Sequence, residues 1–221
     1  MAKQLVVAID GPAGAGKSTV AQLAAKELGY TYIDTGAMYR SVAWLTLQQH
    51  QPVTDELINS VVPDIDVDLQ YADGKTTVLV NGEDVSTAIR TPEVSHIVSQ
   101  VAALAPVREK MVALQRKMAE RGGVILDGRD IASHVLPNAD VKIYLTASVE
   151  ARARRRWTEL KAKGYDMTLK ELQQDIEARD KADMEREISP LVKVDDATLL
   201  DTTGLTIEQV VRRILDICRR H

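Results

Sequence analysis

The sequence predicts an α/β fold, in which strands and helices alternate to give a parallel sheet with helices on both faces. Residues 5–9 form a continuous apolar run that ends at Asp10, as expected of a strand buried on both faces. Short strands recur at residues 30–34, 124–127, 141–145 and 197–201, and helical patterns follow the first, third and fourth of these. Ligands of such a sheet bind at the carboxyl ends of its strands.

The first and last helices have clear end signals. The pattern predicts a helix over Lys17–Leu28, with Gly29 as its C-terminal stop. Its buried face is expected to consist of Val20, Leu23, Ala24 and Leu28. The last helix is predicted to start at Thr206, because Thr206 and Gln209 have capping-box spacing.

One segment, about residues 62–90, interrupts the alternation and predicts a small antiparallel insert. Apolar and polar residues alternate over residues 65–71, which is typical of a half-exposed strand. A second apolar run then meets Asn81-Gly82, a dipeptide that favours a tight hairpin turn. The helix that follows is predicted to have Thr91 as its cap, Pro92 at its first position, and an apolar face of Val94, Ile97, Val98 and Val101.

The composition argues against several classes of protein. The formal net charge is −4, whereas general nucleic-acid-binding and membrane-surface proteins usually carry a basic excess. Cys218 is the only cysteine, which rules out an internal disulfide and a cysteine-based zinc site and fits a reducing compartment. No apolar run is long enough for a signal peptide or a membrane span. We therefore expect a soluble, cytoplasmic protein that binds neither nucleic acid nor membranes.

The clearest functional motif lies between the first strand and the first helix. Gly11-Pro12-Ala13-Gly14-Ala15-Gly16-Lys17-Ser18 matches the phosphate-binding loop (P-loop) pattern G-x-x-x-x-G-K-[ST], and Thr19 follows it. Glycines let backbone N–H groups turn toward the phosphates of a nucleoside triphosphate at the positive end of a helix. Lys17 is predicted to reach the β- and γ-phosphates, and the Ser18 hydroxyl to bind Mg²⁺. Asp127, at a strand end, either completes that magnesium site or merely caps the strand.

A P-loop does not reveal what happens to the nucleotide. A GTPase switch usually has an N-K-x-D motif, which this sequence lacks, and motor or transport ATPases are normally larger or multidomain. A small-molecule kinase instead needs a second anion site and arginines over the transferred phosphoryl group. Four arginines follow the strand at residues 141–145 and are candidates for this role: Arg152, Arg154, Arg155 and Arg156. A solvated helix face and an RNA-binding patch are the alternatives for these four.

Further arginines favour the kinase. Arg40 and Arg129 follow the second and third strands, at the ligand edge of the sheet. Arg179, Asp183 and Arg186 recur at i, i+4 and i+7 of a helix predicted to begin near Thr168, so they share one face. Arg40, Arg129 and Arg186 could converge on an acceptor monophosphate, because the planar guanidinium group suits phosphate oxygens.

Over essentially its whole length the chain resembles the bacterial cytidylate kinases, a family of P-loop nucleoside monophosphate kinases. The resemblance is carried by residues 9–18, 34–40, 89–94, 99–102 and 127–130, and by Arg179, Asp180, Asp183 and Arg186. It implies a single domain with a parallel five-stranded core at about residues 1–34, 105–145 and 167–221. A nucleoside-monophosphate-binding region with the insert would span about residues 35–104, and a short lid about residues 146–166.

The resemblance also implies a reaction. ATP or dATP, with Mg²⁺ at Ser18 and Asp127, would phosphorylate CMP or dCMP in pyrimidine nucleotide metabolism. Arg40, Arg129 and Arg186 would hold the acceptor phosphate, and Arg179 and Asp183 the ribose. The residues that would read cytosine are Ser99, Arg108 and Asp130. Thr35 stands where some members have serine, and either hydroxyl can donate to the nucleotide.

The candidate catalytic groups are Lys17, Arg129, Arg156 and Arg186, with Arg155 as a further ATP contact. An acceptor phosphate is already anionic near neutral pH, so catalysis would consist of alignment and charge stabilisation without a dedicated general base. Other acceptors remain as alternatives, namely UMP, another nucleoside monophosphate or a shikimate-like molecule. A non-kinase nucleotide-binding switch is a further alternative. We expect a monomer.

Overall fold

A computed structural model describes residues 4–72, 74–162 and 164–221. Residues 1–3, 73 and 163, which fall within the expected core, insert and lid, lie outside the described residues. The helices are α1 (Lys17–Leu28), α2 (Thr35–Leu47), α3 (Asp55–Val61), α4 (Pro92–Ala103), α5 (Ala105–Ala119), α6 (Val149–Ala162), α7 (Leu169–Glu185) and α8 (Ile207–Cys218). The strands are β1 (Val6–Asp10), β2 (Thr31–Asp34), β3 (Val67–Ala72), β4 (Lys75–Val80), β5 (Glu83–Asp84), β6 (Val124–Gly128), β7 (Val141–Thr146) and β8 (Thr198–Asp201).

Five strands form a parallel sheet in the order β2-β6-β1-β7-β8, which confirms the predicted core. The strand order reverses at β1. The connection after β1 leads to β2 on one side of it, whereas the connection after β6 leads to β7 on the other side. This arrangement opens a crevice at the carboxyl end of β1, where ligands of open α/β sheets bind. The P-loop begins at that end.

Helices cover both faces of the sheet, as predicted. Val7 and Ile9 of β1 pack with α1 and α8, while Ala8 between them packs with α5 and with a π-helical turn at Ile131–Val135. This alternation explains why residues 6–9 of the strand are all apolar, since both of its faces are buried.

The predicted antiparallel insert is present as the three-stranded sheet β3-β4-β5. Asn81 and Gly82 form the turn between β4 and β5 with φ of 50° and 85°, the left-handed values that such a tight hairpin requires. Buried residues of the insert share one apolar cluster with α2, α3, α4 and α5. The insert is therefore packed onto the helical region that would bind the acceptor.

Several helix ends match their sequence signals. Thr91, Thr168 and Thr206 cap α4, α7 and α8 through their side chains, and the last two form complete capping boxes. Gly29 ends α1 with φ of 67°. In the part of the chain that the structure describes, no helix combines the length and the apolar character needed to cross a bilayer.

The predicted buried face of α1 is wrong at one position. Leu23 is 40% exposed, and the residues buried on that helix besides Lys17 are Val20, Ala21, Ala24 and Ala25. The buried face is rotated because α1 packs against both the sheet and α8, and its small alanines permit close approach.

Candidate active site

The P-loop connects β1 to α1 and leaves the first turn of α1 open to a ligand. Gly16 is the N-cap of α1 in a left-handed conformation, with no side chain capping the helix N–H groups. Gly11 allows the loop to approach β7, because a Cβ atom there would lie 1.9 Å from the Leu145 carbonyl oxygen. The loop therefore leads into a helix N-terminus whose N–H groups have no side-chain cap, an arrangement that binds phosphate.

Lys17 is folded back into the loop. Its Nζ donates to the carbonyl oxygens of Gly11, at 2.7 Å, and Pro12, at 2.8 Å. Burial and the nearby charge of Arg129 lower the pKa of Lys17 to about 7, although Asp127, Asp10 and Asp183 act in the opposite direction. A bound polyphosphate would supply the negative charge that this buried ammonium group needs.

A cluster of oxygen atoms lies beside the P-loop at the ends of β2 and β6. Ser18 Oγ donates to Asp127 Oδ2 at 3.0 Å, and the Tyr32 hydroxyl donates to Asp127 Oδ1 at 2.6 Å. Asp34 is the strand neighbour of Asp127. Burial and the Asp34 carboxylate raise the pKa of Asp127. The structure thus brings Ser18 and Asp127 together as the sequence suggested, and adds Tyr32 and Asp34, which sequence reasoning missed.

Asp34 organises the start of α2. It accepts a hydrogen bond from Ala37 N at 2.8 Å and pairs with Arg40 at 2.9 Å and Arg90 at 3.1 Å. Burial alone would raise the pKa of Asp34, but Arg40 and Arg90 outweigh burial and lower it. Thr35, the next residue, donates its hydroxyl hydrogen to the Asp127 carbonyl at 2.6 Å. Arg90 had no role assigned from the sequence, since nothing local marks it as the partner of a carboxylate so distant in the chain.

Four guanidinium groups converge near the P-loop. Burial and the charges of Arg129, Arg40 and Arg156 lower the pKa of Arg179 to about 10, which Asp183 partly offsets. Arg129 pairs with Asp183 through Nε at 2.6 Å. Among the described residues, the buried Nε atoms of both Arg40 and Arg179 have no hydrogen-bond partner. Arg40, Arg129 and Arg156 are also paired with carboxylates, those of Asp34, Asp183 and Glu159. The two buried Nε–H groups without partners are the donors that remain for an anion.

Arg186 lies near two carboxylates, Asp130 and the Asp183 that pairs with Arg129: burial lowers its pKa, and both carboxylates oppose that shift. It pairs with Asp130, Nη2 to Oδ1 at 3.3 Å, and Arg108 contacts the other oxygen of the same carboxylate. Arg108 also lies over the ring of Tyr39, 5.7 Å from its centroid. The structure thus brings together Arg108, Asp130 and Arg186, and the carboxylate of Asp183 links Arg186 to Arg129 and Arg179. Ser99 is half-buried on α4, and its side chain makes no hydrogen bond within the described residues.

The four arginines of α6 have separate surroundings. Arg152 is buried and bonded to Ala13 and Asp180, so it is not free to clamp phosphates in this state. Arg154 pairs with Glu150 on the exposed face of the helix, where the solvated-face alternative applies. Arg155 donates to Ala15 O at 3.3 Å and Thr202 O at 2.7 Å, beside the P-loop. Arg156 is partly exposed and pairs with Glu159 at 2.9 Å.

Comparison with known proteins places the chain in a family. The cytidylate kinase family profile matches residues 7–220. Proteins named cytidylate kinase from Bacillus cereus and Bacillus thuringiensis are each 52% identical to it over 218 residues, which is 98% of this chain and 97% of each relative.

Solved structures share the fold at much lower sequence identity. An uncharacterised protein from Eubacterium ventriosum superimposes with a TM-score of 0.55 at 13% identity, covering 99% of this chain and 100% of that one. A gluconokinase from Sinorhizobium meliloti gives 0.51 at 16% identity, covering 98% and 93%. These likenesses concern the fold alone, whereas the family match extends over nearly the whole sequence. The chain belongs to the cytidylate kinase family and is a nucleoside monophosphate kinase.

Proposed function

We infer that this enzyme transfers the γ-phosphoryl group of ATP or dATP to the phosphate of CMP or dCMP. The observation that carries the inference is the convergence of Arg40, Arg129, Arg156 and Arg179, two of which have unpartnered buried Nε atoms. The charge of Arg129 also acts on Lys17, which connects this cluster to the P-loop. Two phosphate-bearing ligands would therefore meet between the P-loop and the arginines.

The transfer is a direct displacement. The bond between the γ-phosphorus and the β–γ bridging oxygen breaks as an oxygen of the CMP phosphate bonds to that phosphorus, giving ADP and CDP. No side chain needs to remove a proton, because a phosphate monoester is largely ionised near neutral pH. The enzyme supplies alignment and positive charge where negative charge accumulates.

Each candidate catalytic group has a distinct task in this scheme. Lys17 exchanges its two carbonyl contacts for the β- and γ-phosphates of ATP. Arg129 and Arg156 stabilise the transferred group from the acceptor side, together with Arg186 when it leaves Asp130. Arg155 contacts the nucleotide beside the P-loop. Further donor contacts come from the loop residues Gly11, Pro12, Ala13, Gly14, Ala15, Gly16, Ser18 and Thr19.

The residues beside the P-loop fit a magnesium ion. Mg²⁺ prefers oxygen ligands and is usually held by one or two carboxylates, substrate phosphates and water. The Ser18 hydroxyl and the Asp127 carboxylate, already 3.0 Å apart, are a donor set of that kind. When bound with ATP, the ion would neutralise charge on the phosphates. The described residues contain no group of three or more acidic, histidine or cysteine ligands, so phosphate and water would complete the coordination.

The cluster of Arg108, Asp130 and Arg186 is suited to the cytosine base. Asp130 is flanked by the guanidinium groups of Arg108 and Arg186, and a carboxylate can accept the hydrogen bond of the cytosine amino group. Arg108 can donate to the ring nitrogen or carbonyl, and Ser99 completes the pocket from α4. Arg179 and Asp183 lie one turn apart on α7 and would hold the ribose, while Thr35 and Arg40 contact the phosphate.

We further propose that the enzyme acts in the cytoplasm as a monomer, in pyrimidine nucleotide metabolism. The buried thiol of Cys218, the single cysteine, and the net charge of −4 are consistent with that setting and with the absence of nucleic-acid and membrane partners. The domain division is proposed as expected from the sequence, with the core at about residues 1–34, 105–145 and 167–221, the acceptor region at 35–104 and the lid at 146–166.

An acceptor panel tests the function and its alternatives together. ADP release would be followed with CMP, dCMP, UMP, AMP, GMP and shikimate as single acceptors. We expect the highest kcat/KM with CMP and dCMP and little release without an acceptor. A preference for UMP, another nucleotide or shikimate would favour a different small-molecule kinase, and nucleotide binding without acceptor-dependent turnover would favour a switch.

A further inference from the structure

A buried network joins the P-loop to α6 and α7. Asp180 Oδ1 accepts a hydrogen bond from Ala13 N at 3.1 Å, and Arg152 Nη1 donates to Ala13 O at 2.8 Å. Arg152 and Asp180 also pair with each other at 2.6 Å, with side chains only 5% and 11% exposed. The backbone of Ala13 is therefore held from both sides by one buried ion pair.

The network fixes the tip of the P-loop against the two helices. Arg152 Nε donates to Ala147 O at 2.9 Å, which attaches the same side chain to the end of β7. At Gly14, a Cβ atom would lie 3.5 Å from Arg152 Cβ and 3.8 Å from Ile176 Cδ1. The loop therefore passes close to both helices and is hydrogen-bonded to one residue of each, so a shift of either helix would alter these contacts.

Asp180 shares its helix with the residues on the acceptor side. Arg179 precedes it directly, and Asp183, which pairs with Arg129 at 2.6 Å, follows one turn later. The charge of Asp180 also acts on Arg129. Because these residues lie within about one turn of a continuous helix, a shift of α7 on acceptor binding must also move the carboxylate that holds Ala13.

We propose that Arg152 and Asp180 are positioning residues that couple occupation of the acceptor site to the conformation of the P-loop. They touch neither phosphate nor base, and they act through Ala13. The coupling would give the P-loop its ATP-binding shape when an acceptor is present, which limits the loss of ATP to water. The proposal rests on the proposed function, since it takes CMP as the acceptor.

Binding synergy is the property that separates this role from a merely structural one. A structural ion pair affects thermal stability, whereas a coupling pair changes how one ligand alters the affinity of the other. Asp180→Asn keeps the shape of the side chain and removes its charge. Arg152→Lys keeps the charge but loses the guanidinium geometry that reaches Ala13 and Asp180 together.

The test is calorimetric titration of CMP with and without a non-hydrolysable ATP analogue and Mg²⁺. We expect wild-type enzyme to bind CMP roughly 5- to 50-fold tighter in the presence of the analogue. The ratio of the CMP dissociation constants without and with the analogue should fall to nearly one in Asp180→Asn and in Arg152→Lys. CMP affinity in the absence of the analogue should stay within about threefold of wild type. Glu150→Gln is the matched control: it breaks the exposed Arg154 pair on the same helix and should keep the wild-type ratio.

Hydrogen exchange of the wild-type enzyme provides a second measurement that needs no variant. CMP alone should slow exchange in the peptide that contains Ala13 and Gly14, although the proposed CMP site includes neither residue. The coupling would be overturned by a wild-type ratio of CMP dissociation constants in either folded variant, or by a ratio of one in the wild-type enzyme. It would also be overturned if CMP did not slow hydrogen exchange in this peptide. Absence of any CMP binding would instead remove the proposed function, and this proposal with it.

Discussion

Arg40 and Arg179 belong to α2 and α7, yet their guanidinium groups lie close enough for the charge of Arg40 to help lower the pKa of Arg179. The buried Nε atoms of both residues lack hydrogen-bond partners within the described part of the chain. Buried donors without hydrogen-bond partners, and like charges held close together, cost stability. Such a cost is typical of a binding site, where a ligand supplies the missing charge.

Replacing Arg179 by methionine should therefore stabilise the free enzyme while impairing it. We expect a rise in Tm of about 2–4 °C for each kcal/mol of repulsion removed, together with a roughly tenfold or greater loss of kcat/KM for CMP. Arg212→Met, on the exposed side of α8, should change neither quantity. Calorimetry and steady-state kinetics measure both effects. A variant that is less stable than wild type would show that Arg179 is satisfied in the free protein.

ATP binding should be accompanied by proton uptake at Lys17. In the free enzyme the pKa of Lys17 is about 7, and the phosphates of ATP raise it by favouring the ammonium form. Uptake at this residue should therefore be roughly half a proton at pH 7, less at pH 6 and nearly one at pH 8. Titration of a non-hydrolysable ATP analogue in buffers of different ionisation enthalpy gives the number of protons. Lys17→Arg stays charged at every pH and should therefore lack the proton uptake due to residue 17. Equal proton uptake by the variant and the wild type would contradict the assignment of this uptake to Lys17.

The cytosine pocket should depend on Asp130 and Ser99. Asp130→Asn or Ser99→Ala should lower kcat/KM for CMP roughly 10- to 100-fold, with a smaller effect on UMP, because uracil offers a carbonyl where cytosine offers an amino group. ATP affinity should stay within about threefold.

Ser95→Ala, one turn earlier on α4, is the control, since its hydroxyl donates to Thr91 O within the same helix. Asp130→Asn also leaves Arg108 and Arg186 without a carboxylate, so its folding should be checked by circular dichroism. An undiminished preference for CMP in both variants would remove these residues from the base pocket.

The segment at residues 146–166 should close over bound nucleotides. Its helix α6 packs on α7 through a separate small apolar cluster that includes Ala153, Leu160, Leu172 and Ile176. Such a unit can move without repacking the main apolar core, by rearranging the polar contacts of Arg152 and Arg155 with the P-loop. Hydrogen exchange in this segment should slow when a bisubstrate analogue binds, and exchange in α8 should not change. Equal exchange with and without the analogue would show that the segment is not a lid.

Local signals in the sequence were sufficient for much of the fold. The P-loop, the bounds of α1, the Asn81-Gly82 turn and the threonine caps depend on residues close together in the chain, and the structure confirms them. Helix α3 was not predicted, because a helix of seven residues is too short to show a recognisable apolar periodicity. The exposure of Leu23 depends on where α8 packs, which no local pattern contains.

The ion pairs could not be predicted in the same way. Arg186 was expected to converge with Arg40 and Arg129 on a phosphate, and its pairing with Asp130 was not indicated by the sequence. Arg152 looked like one of four equivalent arginines, but it is buried against Asp180. Spacing along a helix indicates which residues share a face. The partner of each side chain depends on how distant elements pack, and an arginine has several carboxylates within reach at this sheet edge.

The central claim is phosphoryl transfer from ATP to CMP, and the most direct measurement is the fate of a labelled γ-phosphate. The enzyme would be incubated with ATP labelled at the γ-phosphorus, Mg²⁺ and CMP, and the products separated. We predict that the label appears in the β-phosphate of CDP at the same rate as ADP forms, with little free phosphate. Label recovered mainly as free phosphate, or no CMP-dependent loss of label from ATP, would contradict the account.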